Sequence, residues 1–461
     1  MDLTYERRRT VDAVRGLRLY RAQVRRDHWS PERLRAHQQQ RLDALARHAV
    51  AHSPFWRERL GSGPVDLAAV PALDKTTLMK NFDDIVCDRR LRRDELLEHL
   101  DGLDHDALHL GRYRVMTTSG SSGHKALYVY DRRGWQQIAG YWFRHCAMTG
   151  KLPRVPRRRL VFVGGGAPSH MSRRGGATVG TVYRMCGLGV TMPMPMLVDA
   201  LNAFRPELML VYPSIGALLA EEQLAGRLRI APQGITTASE LCTPQMAERM
   251  IEAWGVRPAE FYATTEGLFG SACEYNRGIH MFEDEAILEN VDEDGRPVPE
   301  GEPGAKLLVT NLANRAVPLL RIEVSDVVTL DSAPCPCGRR TRRITTLHGR
   351  ADDVLYLPGD DGRVAVHPLH FDVVTADRAV REFQIVQQGP RLLLRVALRD
   401  GTVVGEASHR LRERVSERLA TLGVRETVIA VEPCDGIPRV GGGKLQMVVA
   451  DRGATNGRAA A

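Results

Sequence analysis

The sequence predicts an α/β protein: a large N-terminal part with mainly parallel sheets covered by helices, a small β-rich appendage, and a smaller, mobile α+β part at the C-terminal end. Three observations lead there. Between residues 113 and 270, short apolar runs alternate with helical stretches, the rhythm of βαβ units. From 283 to 330 the runs are closely spaced and β-like. After about 350, a hairpin, a helix and another strand follow one another. A chain of 461 residues is also too long for one hydrophobic core.

In order, residues 1–60 are predicted helical. Apolar residues from Leu34 to Phe55 recur near helical spacing, and Ser30-Pro31-Glu32 is a good helix start. Val70 to Lys75 is an extended link, with Asp74 placed to cap the next helix. The α/β core spans 61–280. Its strands are predicted at Leu160–Val163, Leu208–Tyr212, Gly234–Thr237 and Glu260–Tyr262, and its helices at Trp135–Met148, Leu197–Phe204, Ile215–Leu224 and Pro244–Trp254. The β-rich part, 281–349, holds strands at Ala286–Val291, Ala305–Thr310 and Val317–Leu330, with a turn at Asp294-Gly295, and reads as a small barrel or sheet. The large part therefore spans 1–349 and the small one 350–450, with a hairpin (Phe383–Val386 with Leu392–Leu398), a helix near His409–Leu419 and a strand at Val428–Val431. Residues 451–461 are expected to be disordered.

Composition excludes several classes. Hydrophobic content of 43% and charged content of 26% are ordinary for a globular chain. No apolar run reaches the length of about 18 residues that a membrane span needs. The N-terminal stretch leads straight into charged residues, so a cytoplasmic protein is expected. The net charge is +8, but the basic residues are scattered and only six are lysine. That reads as a solvated surface rather than a nucleic-acid footprint. The eight cysteines lack an export signal and are not expected to form a disulfide framework.

The segment Thr117-Thr118-Ser119-Gly120-Ser121-Ser122-Gly123-His124-Lys125 is rich in hydroxyls and glycines. Such a loop suits phosphate oxygens, and it equally suits a flexible polar turn; it is not a Walker A loop. Loops at 117–125, 238–240 and 262–266 all follow predicted strands, so a parallel sheet brings them to one cleft. Phe261 to Gly267 offers a ring, hydroxyls and one carboxylate. Arg321 to Asp326 ends a strand on an acid, Gly349-Arg350-Ala351-Asp352-Asp353 joins the two parts, and Pro438 to Lys444 sets a lysine after three glycines. Cys273, His280, Cys335 and Cys337 provide three thiols and an imidazole. They suit a tetrahedral zinc or form two unrelated buried pairs.

Together these stretches resemble the adenylate-forming superfamily of acyl-CoA synthetases, adenylation domains and luciferases, and within it phenylacetate-CoA ligases. The resemblance covers essentially the whole chain, from Pro54-Phe55-Trp56 to Cys335-Pro336-Cys337-Gly338-Arg339. It implies an AMP-producing ligase of secondary metabolism that turns a small, aromatic carboxylic acid into an acyl-adenylate with Mg-ATP, then transfers the acyl group to a thiol such as CoA. By the same resemblance, Thr118, Ser119, Gly120, Ser121, Ser122 and Gly123 hold the outer phosphates, Ala238, Ser239 and Glu240 lie along the adenine, and Tyr262 stacks on it. Thr265 contacts the α-phosphate, Glu266 holds magnesium, Asp326 takes the ribose hydroxyls, and Arg350 reaches ribose or phosphate. Lys444 bridges the α-phosphate and the attacking carboxylate, and Asp352 is the hinge. Cys273, His280, Cys335 and Cys337 then hold a structural zinc.

Two positions depart from the family pattern. Lys125 stands where proline is usual, and a longer turn, 357–363, follows Asp353 where the thiol tunnel normally forms. An amine or a carrier protein therefore remains an alternative acceptor, and a non-catalytic nucleotide-binding module is the alternative outside the class. A homodimer is compatible with the sequence; no nucleic-acid or membrane partner is expected.

Overall fold

The chain begins with two long helices, α1 (Leu3–Arg26) and α2 (Pro31–His52). A computed structural model describes residues 3–61, 63–103, 106–117, 126–165, 169–359, 362–440 and 444–451. Ser30 caps α2, its Oγ accepting the Arg33 N–H, and Pro31 fills the first helical position. Ser53 ends α2 and caps α3 (Pro54–Arg59) through the Trp56 N–H. Asp74 caps α4 (Lys75–Lys80) as expected, taking the Thr77 N–H at 2.7 Å. Helices α5 (Phe82–Ile85) and α6 (Arg93–Asp101) follow.

Strands β1 (Arg114–Thr117) and β2 (Leu127–Tyr130) pair antiparallel with Thr117 opposite Leu127. Residues 118–125, the Thr/Ser/Gly segment singled out above, lie outside the described residues. Next come α7 (Arg132–Met148), β3 (Arg159–Gly164), α8 (Met171–Val179), β4 (Arg184–Gly189), α9 (Met194–Phe204), β5 (Leu208–Val211), α10 (Pro213–Leu224), β6 (Gly234–Thr237), α11 (Pro244–Trp254) and β7 (Ala259–Ala263). These strands stand in the order β4-β3-β5-β6-β7, all parallel.

Beyond β7 the sheet changes character. It continues antiparallel through β8 (Phe269–Ala272) and β9 (Ile279–Met281). Strands β10 (Ala286–Val291), β11 (Lys306–Asn311) and β12 (Ile322–Val324) leave it to form a separate three-stranded antiparallel sheet. The chain then returns with β13 (Asp326–Asp331) and β14 (Arg343–Arg350), which close the nine-stranded order at β9-β14-β13. The architecture is α/β as predicted, but only half of the large sheet is parallel.

One local expectation needed correction. The run 317–330 is not one strand: Arg321 has φ +49° and Ser325 separates β12 from β13, which belong to different sheets. The β-rich part, expected to be a small barrel or sheet, holds an open three-stranded sheet. The Asp294-Gly295 turn is present, with Gly295 at φ +82°, and the strand that pairs with β10 is Lys306–Asn311, one residue from the expected Ala305–Thr310. Elements α8 and β4 had no sequence signal, because glycines interrupt both.

After a 3-10 turn (Ala351–Asp353) come β15 (Leu355–Gly359), β16 (Gly362–Val366), α12 (Asp372–Thr375), β17 (Val380–Gln388), β18 (Arg391–Leu398), α13 (Val404–Thr421) and β19 (Val428–Pro433). The chain ends with β20 (Arg439–Val440), β21 (Lys444–Leu445) and β22 (Val448–Val449). Strands β19-β18-β17-β22 make a four-stranded sheet whose apolar cluster, including Phe383, Leu394, Leu411 and Val415, is separate from those of the large sheet. Residues 452–461, expected to be disordered, lie outside the described residues. No helix among the described residues is long and apolar enough to cross a membrane.

Candidate active site

The strand ends of the large sheet and the start of β21 enclose a cavity of about 470 Å³. Thr117, Ala238, Ser239, Glu240, Tyr262, Thr265, Glu266, Asp326, Arg350 and Lys444 all line it. The described members of the predicted nucleotide set are thus brought together. Thr118, Ser119, Gly120, Ser121, Ser122 and Gly123 lie outside the described residues.

The turn after β7 is fixed from several sides. Gly267 has φ +103°, and a Cβ there would lie 1.8 Å from Asn311 Nδ2, so the position requires glycine. Asn311 uses that closeness to donate to the Glu266 carbonyl at 3.0 Å, and the Tyr130 hydroxyl donates to the Thr265 carbonyl at 2.9 Å. The Glu266 side chain is buried. Its Oε1 accepts the Tyr128 hydroxyl at 3.0 Å and lies 3.2 Å from Lys75 Nζ. Burial alone would raise its pKa, but Lys75 and the hydrogen-bond donors outweigh this and hold it below the usual carboxylate range. Lys75, Tyr128, Tyr130 and Asn311 had no assigned role in the sequence analysis. Each lies 45 to 191 residues from Glu266, so no spacing pattern links them.

A second group is set by strand register. Asp326 and Arg350 face each other across β13 and β14. Arg350 Nε lies 3.4 Å from one carboxylate oxygen of Asp326, and the Tyr262 hydroxyl donates to the other at 2.5 Å.

Lys444 comes from the C-terminal part. The next residue, Leu445, donates its N–H to Glu240 Oε1 at 2.7 Å, while Glu240 Oε2 accepts the Ser214 N–H at 3.1 Å. Glu240 therefore docks the Lys444 strand, a use the sequence did not suggest. Burial, with Arg350 nearby, brings the Lys444 ammonium down to about 8 against the pull of Glu240, Asp326 and Glu266. Asp352 sits in the 3-10 turn after Arg350, and the turn's first residue donates to Ser325 at 2.6 Å.

The other end of the cavity is apolar. Trp135, Trp142, Phe162, Met185, Phe261 and Phe269 line it, and Trp142 packs edge-on to Phe261. Helix α8 closes one side. A Cβ at Gly176 would meet Met185 Cε at 2.7 Å, whereas at Gly175 it would meet nothing within 4 Å. Glu260, on the same strand as Tyr262, also lines the cavity, and burial pushes its carboxyl up to about 7.

Away from the cavity, the donor atoms of Cys273, His280, Cys335 and Cys337 lie within 4.8 Å of one another. The sulfurs of Cys273 and Cys335 are 3.8 Å apart, and Cys337 Sγ is 3.3 Å from His280 Nε2. Tetrahedral zinc with Zn–S bonds of about 2.3 Å sets its sulfurs about 3.8 Å apart, so the donor set fits. Thr341 Oγ1 lies 3.3 Å from His280 Nδ1, where it can orient the ring. Burial, with Arg339 and Arg343, pushes the imidazole down to about 4, the neutral form a metal needs.

No family model matches the chain. It is 28% identical over 466 residues to a phenylacetate-coenzyme A ligase of Thermus thermophilus, covering 91% of this chain and 96% of that one. It is 26% identical over 450 residues to the phenylacetate-coenzyme A ligase of Escherichia coli, covering 89% and 93%. Among solved structures, 2-hydroxyisobutyryl-CoA ligase in its postadenylation state superposes with a TM-score of 0.73 at 22% identity, covering 94% of this chain and 92% of that one. The same ligase in its thioesterification state, with 2-HIB-AMP and CoA, gives 0.59 at 22% identity, covering 94% and 93%. The chain has the fold of adenylate-forming ligases, and its sequence is phenylacetate-CoA ligase-like.

Proposed function

We propose that this chain is an ATP-dependent ligase that activates a small aromatic carboxylic acid as its acyl-adenylate and passes the acyl group to coenzyme A. The observation that carries this reading is the meeting of Glu266, Asp326, Arg350 and Lys444 around one cavity whose far end is walled by aromatic side chains.

The chemistry has two steps. In the first, a carboxylate oxygen attacks the α-phosphorus of ATP, the bond to the bridging oxygen breaks, and pyrophosphate leaves. In the second, a thiolate attacks the acyl carbon and AMP leaves with the electron pair. The first step brings two anions together, so fixed positive charge at their meeting point lowers the barrier. Lys444 supplies it between the carboxylate and the α-phosphate, and Thr265 and Arg350 add donors. Asp326 receives the ribose hydroxyls and Tyr262 stacks on the adenine, with Ala238, Ser239 and the Glu240 backbone along its edge. The hydroxyls and glycines of 118–123 take the outer phosphates. The Glu266 carboxylate would hold magnesium, which when bound would offset phosphate charge.

Lys444 belongs to the small C-terminal part yet has to reach a phosphate held by the large one. The acceptor thiol later needs the acyl carbon that this same part covers. One arrangement does not serve both steps, so a rotation about Asp352 separates them. The higher superposition on the postadenylation state supports placing the present arrangement at the first step. Cys273, His280, Cys335 and Cys337 hold a structural zinc, tying the segment after Glu266 to the strand pair β13–β14. About one zinc per chain by elemental analysis is expected, and a zinc-free protein that is fully folded contradicts it. The function itself is tested by AMP release across a panel of aromatic and aliphatic acids, with CoA, amines and a carrier protein as acceptors. A CoA-dependent thioester product is expected; amide formation alone would move the assignment to the alternative acceptor.

A further inference from the structure

Lys75 has no part in the mechanism above, yet its backbone is held from several sides. The link before it is pinned to β12: the Leu73 N–H donates to Arg321 O at 3.0 Å, and the Glu323 N–H donates to Leu73 O at 2.9 Å. Asp74 caps α4 through both the N–H and the hydroxyl of Thr77. Leu73 and Leu78 on either side are buried. Helix α4 also rests on the β1–β2 strand pair, since Met79 Sδ accepts the Leu127 N–H at 3.3 Å. The backbone at Lys75 is therefore fixed. Its side chain keeps 29% exposure, directed into the same cavity as Thr117, Thr265 and Lys444.

The residue type is informative as well. The chain has 64 basic residues and only six lysines, yet two of those lysines, Lys75 and Lys444, line this one cavity. An ammonium on a four-carbon stem is a movable point charge and a good phosphate ligand, whereas a guanidinium is a rigid fork. In the present arrangement Lys75 Nζ lies 3.2 Å from Glu266 Oε1, the oxygen that also accepts the Tyr128 hydroxyl.

We propose that Lys75 is a further substrate-binding residue: it neutralises Glu266 while the site is free of nucleotide and turns to the outer phosphates of ATP, the part that departs as pyrophosphate, when nucleotide enters. This rests on the reading of the chain as an ATP-using ligase. Lys444 from the mobile part then serves the bond that forms, and Lys75 from the fixed part serves the group that leaves. Releasing Glu266 at the same moment frees its carboxylate for magnesium.

The experiment is calorimetric titration of the full chain with ATP, AMP and inorganic pyrophosphate, comparing wild type with Lys75→Met, Lys75→Gln and Lys75→Arg. The Gln variant keeps a hydrogen bond to Glu266 without the charge, which guards against a variant that fails only because it does not fold. Removing the charge is expected to weaken ATP and pyrophosphate by at least about tenfold, the scale of one hydrogen bond to a charged group. AMP binding is expected to stay within about twofold, and Lys75→Arg to recover part of the loss. If Lys75 served only to neutralise a buried carboxylate, AMP and ATP would weaken together, and that result overturns the proposal. So does unchanged ATP binding in the Met and Gln variants. A wild-type chain that binds neither ATP nor AMP overturns the ligase reading and this inference with it.

Discussion

Glu266 and Lys444 face the same cavity, but the backbone that carries each is held differently. The Glu266 turn is gripped by Asn311, Tyr130, Tyr128 and Lys75, which come from three separate elements, and Gly267 leaves no room for adjustment. The C-terminal part that carries Lys444 makes polar contacts with the large part: Leu445 N–H to Glu240, Arg439 to Ser214 at 2.8 Å, and Arg399 to Glu221. Interlocked packing has few alternative arrangements, whereas polar contacts between surfaces exchange for water at little net cost. In the proposed mechanism, the difference separates a fixed template for the nucleotide from a charge that is brought in and withdrawn.

Removing the withdrawn charge should have the largest effect. Lys444→Ala is expected to slow adenylate formation by about 10²–10³-fold or more, the scale of losing one preorganised donor. A rate within about tenfold of wild type contradicts the role. The wild-type pH profile adds a sign. Lys444 must be protonated to act, and burial has lowered its pKa to about 8. Adenylation by the free enzyme should therefore be intact below about 8 and fall as pH rises through it, well before an ordinary lysine titrates. A profile flat to pH 10 would show that the ammonium is not required.

Locking the moving side comes next. Asp352→Pro fixes φ and removes an N–H. It should leave adenylation and lose acyl transfer in single-turnover experiments, and equal slowing of both steps would place the hinge elsewhere. Breaking the fixed side is a matter of stability first. Gly267→Ala forces a Cβ into Asn311 at a positive φ, and should cost about 2 kcal/mol or more by chemical denaturation. A neutral result would mean that the turn is not fixed. The smallest effect is expected from Glu221→Gln, which loosens the partly buried pair with Arg399 at the edge of the two parts. Such pairs contribute about 0–1 kcal/mol, so a few-fold change is expected. Adenylation should slow while transfer from pre-made adenylate does not. Parallel changes in both would make the pair a structural contact only.

Much of this was legible in the sequence, for a physical reason. Loops at the ends of strands draw their polar residues from short segments, so Thr265-Glu266, Asp326, Arg350 and Lys444, which line one cavity, stand in recognisable local strings. The Cys and His set was legible because its residue types have few other uses at that spacing. Apolar runs and helical spacing likewise gave most elements between 127 and 263. What stayed hidden depends on contacts distant along the chain. Lys75, Tyr128 and Asn311 acquire meaning only when a helix and two strands bring them to Glu266. The split between β12 and β13 was invisible because one apolar run serves two sheets, and α8, with its Gly175-Gly176 pair, lacks the pattern of a helix while forming a wall of the cavity.

The most direct test of the account is acid-dependent exchange of labelled pyrophosphate into ATP by the purified chain, run with a panel of aromatic acids and without CoA. The account predicts exchange that requires both magnesium and an acid fitting the aromatic end of the cavity, and that Lys444→Ala abolishes. Exchange absent with every acid while ATP binds normally would contradict it and leave a nucleotide-binding module in its place.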